Sequence, residues 1–95
     1  MPPISKMKRD QIRYLARQCE KARQAHPESW DFENGNGFDF PDYGGLPERI
    51  ADRLSGDCVD VIQSFAHDES NKNFTAAELE ATLVEYAETG YDLPY

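Results

Sequence analysis

Leu46-Pro47-Glu48-Arg49-Ile50-Ala51-Asp52-Arg53-Leu54-Ser55-Gly56-Asp57-Cys58-Val59-Asp60-Val61-Ile62-Gln63-Ser64-Phe65-Ala66-His67 is the stretch on which the fold turns. Its apolar residues Ile50, Leu54, Cys58, Val61, Ile62 and Phe65 share one helix face. Pro47 suits a first helical position, and Glu48 suits the positive end of a helix dipole. The phase survives across Ser55-Gly56, so the spacing predicts one helix over 47–67, with a bend available at that pair. The competing reading breaks the helix there and makes Cys58–Ile62 a short strand. A continuous helix makes the chain mainly α.

Upstream, Ser5 caps a first helix over 5–25, with an inward stripe of Ile12, Leu15, Cys19 and Ala22 and His26 in phase. Pro27 ends it, because the residue before a proline avoids the α region. Residues 29–41 change period. Ser29-Trp30-Asp31-Phe32-Glu33 and Phe38-Asp39-Phe40 alternate apolar with acidic around the turn signal Asn34-Gly35-Asn36-Gly37. This predicts a β-hairpin between the first and second helices. A three- or five-residue loop pairs Phe32 with Phe38 and Trp30 with Phe40, which gathers four aromatics on one face and opposes Asp31 to Asp39. Pro41 fits a strand end, and Asp42-Tyr43-Gly44-Gly45 is a turn.

Downstream, Thr75-Ala76-Ala77-Glu78 is a capping box, with Phe74 and Leu79 placed as its hydrophobic staple. A third helix follows over 75–89, with Leu79, Leu83, Tyr86 and Ala87 inward. Gly90 is its C-terminal stop. Residues 91–95 form a short tail that could pack through its tyrosines. The expectation is therefore three amphipathic helices and one hairpin, mainly α with α+β at the margin, in a single domain over 1–95.

The chain has 95 residues, ten Lys and Arg against eighteen Asp and Glu, and a net charge of −8. That size leaves no room for a second core. The acidity argues against direct nucleic-acid binding or attraction to acidic membranes. There is no apolar leader in Met1-Pro2-Pro3-Ile4-Ser5 and no membrane-length apolar run, so we expect a cytoplasmic protein. Cys19 and Cys58 are too few for a disulfide scaffold and read as reduced core residues.

Charge is polarised along the chain. Residues 1–26 hold seven Lys and Arg against Asp10 and Glu20, while residues 27–95 hold three cations against sixteen acids. Arg9, Arg13, Arg17 and Lys21 recur every four residues and form a basic ridge away from the apolar stripe. It reads as a solvated face or as a contact for phosphate or an acidic surface. On the acidic side, Asp31, Glu33, Asp39 and Asp42 crowd the hairpin, where opposed like charges cost stability. They protect a strand edge, bind a cation, or steer a basic partner. Asp57, Asp60, Glu78, Glu85 and Glu88 extend the acidic field.

Specific chemistry is thinly signalled. Phe74-Thr75-Ala76-Ala77-Glu78-Leu79 could be the exit of an EF-hand loop, but the first ligand position would then be His67 and the glycine position Lys72. Cys19, Cys58, His26 and His67 lack zinc-ligand spacing. No phosphate loop, Gly-x-Ser-x-Gly or His-Glu-x-x-His is present. We expect no catalytic residues, no resident metal and no cofactor.

What remains is a small protein acting by contact. Its size and charge are those of immunity proteins, phage anti-defence proteins and DNA mimics, a compositional likeness. The expected function is a non-enzymatic inhibitor or regulator. It would bind a basic partner surface, such as the nucleic-acid site of a nuclease, a CRISPR effector or a repressor. One alternative is a structural or adaptor protein using the basic ridge, as a homodimer or with another partner. A further alternative is a Ca²⁺-responsive helical module.

Overall fold

The computed structural model describes residues 4–25, 46, 48–71 and 73–95. The expected hairpin at 29–41, His26 and Pro27 lie outside these residues. Among the described residues the chain is mainly helical and contains no strand. In chain order the elements are α1 (Lys6–Ala25), the single turn α2 (Glu48–Ala51), α3 (Gly56–His67), a 3₁₀ turn (Glu69–Asn71) and α4 (Ala76–Glu88). None of these helices is long and apolar enough to cross a membrane.

α1 starts where its cap predicts. The Lys8 N–H donates to Ser5 Oγ at 3.1 Å, and the Arg9 N–H reaches the Ser5 carbonyl at 3.0 Å. Its buried stripe is Ile12, Leu15, Ala16, Cys19 and Ala22. This adds Ala16 to the expected set, four residues after Ile12 and on the same face.

α4 has both halves of its capping box. The Glu78 N–H donates to Thr75 Oγ1 at 3.2 Å, and Glu78 Oε1 accepts the Thr75 N–H at 2.9 Å. A third N-terminal donor is satisfied from another helix, because Glu20 Oε2 on α1 accepts the Ala76 N–H at 2.8 Å. Phe74 and Leu79 are both buried in the core, as a staple requires. At the other end, Gly90 takes a φ of 105°, a conformation costly to any residue with a Cβ. The Gly90 N–H bonds the Ala87 carbonyl, and the Tyr91 N–H bonds that of Tyr86, at 3.2 Å each. These two bonds define a Schellman ending. Tyr86 accordingly departs from its expected inward position. It is 39% exposed, and its ring meets that of Tyr91 edge-on at 5.1 Å.

The helix expected over 47–67 is broken. α2 ends at Ala51, and α3 begins at Gly56 with Ser55 as its N-cap. Ser55 has extended backbone, and its Oγ accepts the Cys58 N–H at 3.0 Å. A serine hydroxyl competes well for such donors, and a glycine in the first turn adds little helical preference to resist the break. The strand over Cys58–Ile62 is not formed either, since these residues are helical. The apolar phase persisted because Ile50 on one side and Cys58, Val61 and Ile62 on the other all enter the same core.

The tail explains why the break is stable. Leu93 and Pro94, rather than the tyrosines, are its fully buried residues. The Ser55 N–H donates to the Pro94 carbonyl at 2.8 Å, and the Ser55 hydroxyl donates to the Asp92 carbonyl. Asp57 Oδ2 accepts the Asp92 N–H at 2.9 Å. The tail thus partners polar groups that the break would leave bare. α1 packs chiefly on α4, and α3 joins them. Leu15, Cys19, Leu46, Ile62, Leu79, Leu83 and Leu93 are fully enclosed or nearly so in one cluster.

Candidate binding surfaces

The acids expected to meet a partner divide into three groups. Asp31, Glu33, Asp39 and Asp42 lie outside the described residues. Asp57 and Glu78 are engaged in the fold, Asp57 with the Asp92 N–H and Glu78 in the capping box. Asp60, Glu85 and Glu88 remain at the surface, with Glu88 half-buried.

Two of these come together on α4. Glu85 and Glu88 line an open groove of about 410 Å³ with Ala77, Ala81 and Val84 along its floor. Glu80 and Arg9 complete its wall. Helical spacing produces this arrangement, since positions 77, 81, 84, 85 and 88 follow the three-and-four rule of one face. The opposite face carries the buried Leu79, Leu83 and Ala87. Glu80 was missed in the sequence because only the packing of α1 on α4 reveals its place.

The basic ridge of α1 is partly committed to the same groove. Arg9 Nη2 lies 3.8 Å from Glu88 Oε2, and the Arg13 Nε–H donates to Glu80 Oε2 at 3.3 Å. Arg17 and Lys21 are exposed and have no ion pair among the described residues. Farther along α1, Arg23 Nη2 donates to the Phe74 carbonyl at 3.0 Å, and its guanidinium stacks over the Phe74 ring at 5.0 Å. The Arg23 Nε is buried without a hydrogen-bond partner among the described residues. Glu20 and Arg23 therefore anchor the chain where it enters α4.

The two core cysteines are poor nucleophiles. Burial pushes the Cys19 thiol far up, with the nearby Cys58 adding to the effect, and pushes Cys58 up to about 12. Both thiols are free, fully enclosed and protonated at neutral pH. No group of three His, Cys, Asp or Glu among the described residues could hold a metal ion. At the sequence's EF-hand-like site, Glu78 turns back on Thr75, and the Asn71 side-chain amide donates to the Phe65 carbonyl at 3.1 Å. Those two side chains cap helices there.

The chain matches no protein-family model, no curated protein and no solved structure at a significant level. Its function has to be argued from its own surfaces.

Proposed function

We propose that this chain is a small acidic, non-enzymatic inhibitor or regulator that occupies a basic surface of a partner protein. The nucleic-acid site of a nuclease, a CRISPR effector or a repressor is the kind of surface it fits. The observation that carries this reading is the α4 groove, where Glu80, Glu85 and Glu88 flank an apolar floor of Ala77, Ala81 and Val84. Small floor residues let a partner helix or loop come close, and the flanking carboxylates receive its Arg or Lys side chains. The intramolecular pairs with Arg9 and Arg13 do not preclude this. Exposed ion pairs are worth roughly 0–1 kcal/mol, so a partner's guanidinium can replace them. A net charge of −8 would also speed the approach of a basic partner.

The adaptor reading is weaker, because two of the four ridge residues already face carboxylates of the same chain. Only Arg17 and Lys21 are left to it. The test is capture from a lysate on the immobilised protein, followed by a salt gradient and identification of the eluate. A single basic nucleic-acid-binding protein should be retained at low salt and released at moderate salt. The double variant Glu85→Lys/Glu88→Lys should fail to retain it. Equal retention by that variant removes the α4 groove from the reading.

A further inference from the structure

A second surface lies on the other flank of α1 and has the opposite chemistry. Met7, Gln11 and Tyr14 recur at helical spacing and, with Tyr95 of the tail, line an open groove of about 500 Å³. Met7 is 71% exposed and Tyr14 40%, so two large side chains, two turns apart on α1, face solvent. Two guanidinium groups are held at this edge by tyrosines, one by a hydroxyl and one by a ring. The Arg49 Nη2–H donates to the Tyr14 hydroxyl at 3.3 Å, and the Arg53 guanidinium sits 4.5 Å above the Tyr95 ring. Lys6 supplies a third cation, and Asp10 adds a carboxylate to the lining.

Among the described residues none of these cations is ion-paired. Arg9 and Arg13 each reach a carboxylate, but Lys6, Arg49 and Arg53 have none within ion-pair distance among the described residues. Lys6 also sits in the first turn of α1, where the helix dipole disfavours a cation.

We propose that this groove docks a short acidic segment of a partner protein, one that places an apolar side chain beside one or two carboxylates. The apolar anchor lies on Met7 and Tyr14, where the thioether adapts to its shape. The carboxylates meet Arg49 and Arg53, whose planar forks are held by the Tyr14 hydroxyl and the Tyr95 ring and keep donors free. A short peptide suits the site better than a nucleic acid. A polyanion accumulates repulsion from the net −8 chain along its whole length, whereas two carboxylates do not. The proposal is independent of the α4 groove and survives if that reading fails.

Selection of random displayed peptides on the immobilised full chain tests it. Enriched sequences should combine Asp or Glu with an aromatic or aliphatic residue. A dye-labelled copy of the best sequence should bind the Met7→Glu and Arg49→Glu/Arg53→Glu variants at least roughly tenfold more weakly. Met7 is so exposed that its substitution leaves the fold intact, which the circular dichroism of each variant checks. Ser64→Ala, exposed on α3 and outside the groove's lining, should bind the peptide as the parent does. The proposal is overturned if no acidic-apolar sequence is enriched, or if Met7→Glu binds the peptide unchanged. It is likewise overturned if a single-stranded thymidine oligomer displaces the peptide and binds more tightly.

Discussion

Ser55 uses all its hydrogen-bonding groups on the tail or at the start of α3, its carbonyl accepting the Val59 N–H at 3.0 Å. Its N–H goes to Pro94, its hydroxyl proton to Asp92, and its oxygen takes the Cys58 N–H. Removing the hydroxyl unties a cap and a tail contact together. Ser55→Ala should therefore lower unfolding stability by about 1–3 kcal/mol in urea. Ser64→Ala, exposed in the middle of α3, should change it by less than about 0.5 kcal/mol. Equal effects of the two would deny Ser55 its joining role. Asp68 makes a different residue-scale prediction. The Ser70 hydroxyl at 2.7 Å and N–H at 2.9 Å hold its carboxyl below the usual aspartate range. A depressed native pKa stabilises above the unfolded value, and that contribution is lost as pH falls through the native one. Thermal melts of the parent and Asp68→Asn should differ at neutral pH and converge below about pH 4. A gap that stays constant into acid would show that the carboxylate's charge is irrelevant.

At the scale of the element, the two glycines that flank helices have opposite roles. Gly56 opens α3 with ordinary backbone, and a Cβ built there meets nothing within 4 Å. Gly56→Ala should stabilise by about 0.4–1 kcal/mol, by restricting the unfolded chain. Gly90→Ala forces a Cβ into a φ of 105° and should destabilise by about 1 kcal/mol or more. Urea midpoints should move up for the first and down for the second. Movement in the same direction would contradict the placement of the helix ends. The same contrast marks what could be read from sequence. Ser5, Thr75, Glu78 and Gly90 act within a few residues of themselves, and their roles were legible from local spacing. The break at Ser55 was not, because the groups that stabilise it lie on Asp92 and Pro94 in the tail. Apolar periodicity was blind to it, since both sides of the break face one core. Tyr86 was misplaced inward for a related reason. Its period is correct for the core, but the Schellman ending turns Tyr91 back toward its ring.

For the whole molecule, the polarity of the charge is partly folded in on itself. The basic N-terminal helix lies against the acidic C-terminal one, and Arg9 and Arg13 meet Glu88 and Glu80 across their junction. The sequence displayed the polarity but not this pairing, which depends on α1 choosing α4 as its neighbour. It also hid the Met7–Tyr14 groove, because Tyr95 reaches that site only once the tail has folded home. Fold and binding should therefore respond differently to salt. The core is apolar, with no buried charged residue among those described, and the two cross-helix pairs are partly exposed. A double-mutant cycle on Arg13 and Glu80 should give a coupling below about 1 kcal/mol at low salt, smaller still at high salt. Binding through Glu85 and Glu88 should instead weaken steeply with salt, because its attraction sums many charges rather than one screened pair. Measuring unfolding and partner affinity over one salt series separates the two. If added salt lowers stability as sharply as affinity, the acids of α4 are chiefly counter-charges for α1. If stability stays nearly level while affinity falls, those carboxylates remain available to a partner, as the α4 groove requires.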